Sequence, residues 1–202
     1  MAEVIRLDHD DQAALAKAGQ VLARGGLVVY PTETLYGIAV DHANPQALAR
    51  LAELKGRQPG KPFPLILASR QEADSLAAGI LPAARALMAR HWPGALTLVL
   101  AARDSLHPSL LSPDGGVGLR LSPHPVAAGL ARALGRAITA TSANLAGRPP
   151  VNQVADLDPA LALGVDLILD NGPTPGGLPS TVLDARAEPW RVLRQGPVPT
   201  LP

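Results

Sequence analysis

Residues 55–64, Lys-Gly-Arg-Gln-Pro-Gly-Lys-Pro-Phe-Pro, hold two of the chain's three lysines, Lys55 and Lys61, with Arg57 between them and no Asp or Glu. Gly56, Pro59, Gly60, Pro62 and Pro64 forbid a continued helix, so these cations sit on a turn-rich loop. Such a loop can cradle a polyanion; a solvated basic turn is the plainer reading. In Pro31–Gly37, Thr32 and Thr34 alternate around Glu33 where an apolar run ends. Strand mouths are favoured places for ligand contacts. Thr139, Thr141, Ser142 and Asn144 form a hydroxyl and amide cluster, with Arg148 in the loop that follows. Small polar side chains let backbone N–H groups approach a phosphate while the hydroxyls donate. A polar strand edge or an ordinary turn would read the same way.

These stations need elements to hold them. Asp10 and Asp11 open an amphipathic helix of about residues 11–24, which Gly25-Gly26 stops. Leu27–Tyr30 reads as a buried strand, and Ile38–Val40 as a second apolar run. Asn44-Pro45 is an N-cap followed by proline, and its helix runs to about Leu54, where Gly56 ends it. Leu65–Ala68 is another strand. Helices are expected near 70–78 and 82–91, then strands at Leu96–Leu100 and Val117–Leu121 and a helix from Pro125 to about Leu134. Residues 137–144 begin as a strand, and Val165–Asp170 forms a further one. Ser180–Asp184 and Trp190–Arg194 read as a pair across a short connection. Strands and helices alternate with no break in composition, which implies one α/β domain over residues 1–202 with a twisted mixed β-sheet flanked by helices.

Composition narrows the function. At 202 residues, the chain can bury roughly 70% of its unfolded surface. It has no cysteine, which excludes disulfides and cysteine-ligated metals. No apolar run reaches the roughly 18 residues of a membrane span, and no signal peptide is evident, so a cytoplasmic protein is expected. Net charge is 18 − 17 = +1, and Tyr30, Tyr36, Phe63, Trp92 and Trp190 are the only aromatics. Neither favours a stacking platform for single-stranded RNA. His91 and His107 have no partner at a ligand spacing. Gly115–Gly118 precedes a strand instead of opening a helix, so it is no dinucleotide fingerprint, and a Gly-x4-Gly-Lys-Ser/Thr phosphate loop is missing.

Seven stretches in order, PTETLYG at 31–37, KGRQPGKP at 55–62, WPGALTLVL at 92–100, GLRL at 118–121, ATSAN at 140–144, STVLD at 180–184 and LRQG at 193–196, resemble the YrdC-like family. These are the threonylcarbamoyl-AMP synthases of tRNA modification, and the resemblance covers nearly the whole chain. It implies a twisted α/β domain around a large, positively lined cavity. It also implies formation of threonylcarbamoyl-AMP and pyrophosphate from L-threonine, bicarbonate and ATP. Mg²⁺ would accompany ATP, with no protein ligand assigned. A downstream transferase complex would pass the threonylcarbamoyl group to tRNA, with at most a weak direct contact between tRNA and this chain.

By resemblance, Lys55 and Arg57 are the catalytic cations. Lys55, Arg57, Lys61, Gly116, Ser142, Asn144, Pro150 and Arg194 match ATP positions. Thr34, Ile66, Arg120, Ala140 and Ser180 match positions around L-threonine, where Arg120 could pair with the carboxylate. The chain departs from the family at Ala39, Phe63, Ala95 and Ala146, which alter lining but leave the charged and hydroxyl set intact. Some relatives carry an additional C-terminal domain, and this sequence, ending soon after LRQG, resembles the short form. The rival reading is a tRNA- or rRNA-binding module without catalysis. Related carbamoyl-adenylate proteins of hydrogenase maturation carry cysteine-rich zinc segments, which this chain lacks.

Overall fold

Asp11 caps the first helix by accepting the Ala14 N–H at 2.9 Å, and Asn44 caps the second through Ala47 N–H at 3.0 Å. Gly56 closes that second helix in the left-handed region at φ 56°, where glycine carries no Cβ penalty. The computed structural model describes residues 2–7, 11–56 and 60–199. Asp10 and Arg57 therefore lie outside the described residues.

The first half of the chain runs β1 (Glu3–Arg6), α1 (Gln12–Ala23), β2 (Val28–Tyr30), β3 (Gly37–Ala39), α2 (Pro45–Lys55), β4 (Leu65–Ile66), α3 (Ala73–Leu76), α4 (Pro82–His91) and β5 (Leu96–Ala101). The second half runs β6 (Gly116–Arg120), α5 (Pro125–Leu134), β7 (Ile138–Thr139), β8 (Thr141–Ser142), α6 (Pro159–Gly164), β9 (Leu167–Asp170), β10 (Thr181–Asp184) and β11 (Arg191–Arg194). The expected α/β alternation is present, and its strands divide between two mixed sheets. One has the order β1-β9-β2-β3-β8, the other β11-β10-β5-β6-β4-β7. In the first, β9 pairs parallel with β1 and β2; in the second, β5 pairs parallel with β10 and antiparallel with β6.

The chain passes from the second sheet to the first between β7 and β8, with Ala140 alone between them. Thr139 spans that seam: its hydroxyl donates to Ile38 C=O and accepts from Val40 N–H. Ala140 N–H donates to Pro64 C=O at 2.7 Å, and Ala143 N–H to Tyr36 C=O at 2.9 Å. One apolar core, with Leu48, Leu65, Leu98 and Leu119, fills the space between the sheets and α2. Another, with Leu15, Leu22, Ile66, Leu130 and Leu169, lies under α1 and α5. Those two helices touch closely enough that a Cβ on Gly129 would stand 2.6 Å from a Leu15 methyl. The seam between the sheets is where the polar stations gather.

Candidate active site

The Pro31–Gly37 turn is organised by Thr32. Its hydroxyl donates to Leu35 C=O at 2.7 Å and accepts the Thr34 and Leu35 N–H groups at 3.2 Å each. Such hydroxyl-to-backbone bonds replace the ladder that the strand has left. Thr34 C=O is in turn held by Thr174 Oγ1 and Gly176 N–H from the 171–179 loop. Tyr36 reaches the same loop, donating to Gly172 C=O at 2.7 Å and accepting Asn171 N–H at 3.1 Å. Burial pushes the Tyr36 phenol up to about 12, and burial pushes Tyr30 higher still, so both stay protonated donors.

An inner cavity of about 250 Å³ opens beside this turn. Thr34, Arg120, Ala140, Ser142, Pro150, Ser180 and Arg194 line it, so seven of the expected positions come together there. Tyr30, Thr32, Pro64 and Thr97 line it as well. Thr97 was marked in the sequence only by being the one polar residue inside an apolar strand.

Arg120 closes the inner end. Its Nη1 donates to Glu33 Oε1 at 2.6 Å, and Ser122 Oγ donates to Glu33 Oε2 at 2.5 Å. Arg120 is buried and Glu33 half-buried, which limits competition from water and helps hold the guanidinium. Arg194 enters from β11 and is held differently. Its Nε and Nη2 donate to Ser180 C=O at 3.0 and 2.9 Å, and Nη2 also reaches Ser180 Oγ at 3.2 Å. Among the described residues no carboxylate pairs with it. Burial first, and then the charge of Arg120, pull its pKa below the usual guanidinium value. Two guanidinium groups that disfavour one another's charge across a cavity mark a place for an anion.

Lys55 ends α2 buried, with its ammonium donating to the carbonyls of Ser142 and Asn144 at 2.5 and 2.7 Å. It therefore sits behind the Ser142–Asn144 turn, whose Ser142 hydroxyl bonds to Asn144 Oδ1. Asn144 Nδ2 donates to Arg148 C=O at 2.6 Å, closing the loop. Gly116 lines a second, outer cavity of about 600 Å³, together with Pro62, Gly118, Asp184 and Arg186. Lys61 is exposed between Gly60 and Pro62, both of which line that outer cavity. Ile66 is fully buried in the core under α1 and α5 and is not among the lining residues. Arg57 lies outside the described residues. Among the described residues no group of three or more His, Asp or Glu is gathered for a metal, and no helix is long and apolar enough to cross a membrane.

Two cavities with Pro64, Thr97 and Arg194 in both walls, one holding an ion-paired arginine and hydroxyls, have the lining that small anionic ligands need. The Sua5/YciO/YrdC family model, described as telomere recombination, matches residues 20–196, and the chain belongs to that family. The chain is 35% identical over 183 residues to the threonylcarbamoyl-AMP synthase of Bacillus subtilis, covering 90% of this chain and 53% of that protein. It thus spans about half the length of that relative. It is 34% identical over 169 residues to the threonylcarbamoyl-AMP synthase of Nitrosococcus oceani, covering 84% of this chain and 91% of that one. Among solved structures, Sua5 of P. abyssi complexed with L-threonine matches with a TM-score of 0.90 at 30% identity, over 98% of this chain and 58% of that one.

Proposed function

We propose that this chain is a threonylcarbamoyl-AMP synthase, joining L-threonine, bicarbonate and ATP into threonylcarbamoyl-AMP with release of pyrophosphate and water. The observation that carries the reading is the pair of cavities meeting at Arg194, with Arg120 at the inner end. The threonine amine takes up the carbon of bicarbonate to give a carbamate. A carbamate oxygen then attacks the α-phosphorus of ATP, and the bond to the β-phosphate oxygen breaks. The attacking group belongs to the substrate, so the protein's task is to hold two anions in line and offset their repulsion.

In this reading the amino acid occupies the inner cavity, with its carboxylate on the Arg120 donors that Glu33 leaves free. Thr34 and Ser180 stand beside it, and Ala140 supplies wall. Ile66 supports that wall from the core. ATP enters by the outer cavity past Gly116 and extends to the inner one, where Pro150 and Ser142, with Asn144 behind Ser142, stand near the α-phosphate or nucleoside and Arg194 lies between the substrates. Lys55 adds positive charge behind the Ser142–Asn144 turn, Lys61 faces the outer phosphates, and Arg57 is assigned to them from its place in the sequence alone. Each charge-assisted hydrogen bond contributes about 1.5–3 kcal/mol. Mg²⁺ would be held by phosphate oxygens and water, as this hard ion commonly is, and would offset phosphate charge. The product would pass, in the cytoplasm, to a transferase complex acting on tRNA.

The test is pyrophosphate release from ATP by the purified protein, with L-threonine and bicarbonate each omitted in turn. Release that needs both is expected. An inert protein that instead binds tRNA with steep salt dependence would mean an RNA-binding module.

A further inference from the structure

Among the described residues the two cavities share three lining residues, Pro64, Thr97 and Arg194, which makes that stretch the place for ligands in the two to meet. Thr97 lies buried on β5 between Leu96 and Leu98. Its hydroxyl is 2.9 Å from Ser180 Oγ. Its methyl faces β6, where a Cβ on Gly118 would stand 3.4 Å from Thr97 Cγ2. A β-branched side chain is stiff at χ1, so a methyl lodged against β6 keeps the hydroxyl on Ser180.

Counting protons gives this contact a direction. A hydroxyl has one proton and two acceptor lone pairs. Ser180 Oγ already accepts from Arg194 Nη2 at 3.2 Å. Ser180 Oγ is also the hydrogen-bond partner of the Thr97 hydroxyl among the described residues. Were Ser180 to donate to Thr97, the Thr97 proton would have no acceptor among the described residues, since Ser180 Oγ is the one hydrogen-bond partner of its hydroxyl there, and an unmade hydrogen bond at so shielded a group is costly. Thr97 therefore donates, both Ser180 lone pairs are taken, and the Ser180 proton is left for the cavity.

We infer that Thr97 is a positioning residue that keeps the Ser180 hydroxyl a donor at the junction where amino acid and nucleotide react. This rests on the synthase reading and sharpens it. As the carbamate oxygen bonds to the α-phosphorus and pyrophosphate leaves with the bonding pair, the Ser180 O–H is aimed at the anionic oxygens. It donates a hydrogen bond and transfers no proton.

Two substitutions separate the hydroxyl from the methyl. Thr97→Val keeps the branched shape and removes the donor; Thr97→Ser keeps the donor and removes the methyl. Steady-state pyrophosphate release is measured with ATP and L-threonine varied separately. The expected result for Thr97→Val is a kcat about tenfold lower, short of the ~10²-fold loss on deleting a transition-state donor outright. Both KM values should stay within about twofold, since ground-state binding does not depend on that proton. Thr97→Ser should turn over close to the parent. In a Ser180→Ala background, Thr97→Val should add no further loss, because Thr97 acts through Ser180. Parent-like turnover by Thr97→Val, equal losses in Val and Ser, or additive losses with Ser180→Ala would each overturn the inference. Should Thr97→Val not fold, Thr97→Ser and Ser180→Ala decide it: parent-like turnover by Ser180→Ala removes the group through which Thr97 is said to act. A parent protein without threonine-dependent pyrophosphate release would instead overturn the synthase reading, and this inference with it.

Discussion

The inner and outer cavities are each walled by an arginine–carboxylate contact, and the two contacts differ in surroundings. Arg120–Glu33 is buried, with side-chain exposures of 8% and 14%. Arg186 pairs with Asp184 at 2.7 Å and with Asp114 at 2.5 Å, but the Asp114 side chain is 55% exposed. Water competes for the Asp114 contact, and exposed pairs contribute little, whereas Arg186–Asp184, at 21% and 12% exposure, is shielded almost as well as the inner pair. At the inner end Arg120 is buried and Glu33 mostly shielded, so losing one leaves the other's charge poorly solvated. Between them stands Arg194, which has hydrogen bonds and, among the described residues, no carboxylate partner. The wall that must hold its shape is charge-balanced, and the cation that must meet an anion is left unbalanced.

The sharpest way to break this comparison is Arg120→Ala. It should cost about 3–5 kcal/mol of unfolding free energy, the loss on breaking a buried pair. Threonine-dependent turnover should vanish alongside, and urea unfolding with pyrophosphate assays reads both. A loss below about 1 kcal/mol would place the inner pair in the same class as exposed ones. Arg194→Met should do the reverse: kcat/KM for ATP falls about 10²-fold, while stability changes by less than about 1 kcal/mol because Arg194 is exposed and makes no ion pair among the described residues. A large stability loss there would show that the Arg194–Ser180 hydrogen bonds hold β11 in place.

A smaller effect comes from pH. Burial pulls His124 below the ordinary imidazole value despite the opposing charge of Glu33, and burial together with Arg90 does the same to His91. The folded state thus binds fewer protons than the unfolded chain. Stability is fully present above about pH 6.5 and is lost as pH falls below it. Unfolding monitored from pH 7 to 5 should show that slope, and His124→Gln should flatten it. The smallest effect belongs to Asp114→Asn at the outer wall, for which thermal unfolding should be indistinguishable from the parent. A clear drop would mean that the Arg186 network acts as one unit with Asp184.

Much of the fold was legible because its signals are local. The Asn44-Pro45 cap, the Gly56 stop and the apolar run at 96–100 each depend on neighbours in sequence. β1 escaped notice because Glu3–Arg6 is mostly exposed and carries no apolar run, and α6 because six residues give less than two turns of pattern. Division into two sheets was not legible, since it turns on pairings such as β3 with β8, about a hundred residues apart. At the site, hydroxyls and cations could be named from motifs, but their partners could not. Arg120 reads as a free cation in sequence, and its carboxylate stands 87 residues earlier. Lys55 reads as a phosphate ligand, whereas its ammonium rests on two carbonyls that only the fold brings near.

The single residue between β7 and β8 has a mechanical consequence. Ala140 is a rivet: its amide is tied to Pro64 ahead of β4, while the next residues join β3 in the other sheet. A ligand seated on this segment pulls on both sheets at once. Filling the inner cavity should therefore slow amide exchange in β3 and β6 together, so that two sheets which breathe separately when empty open as one body when loaded.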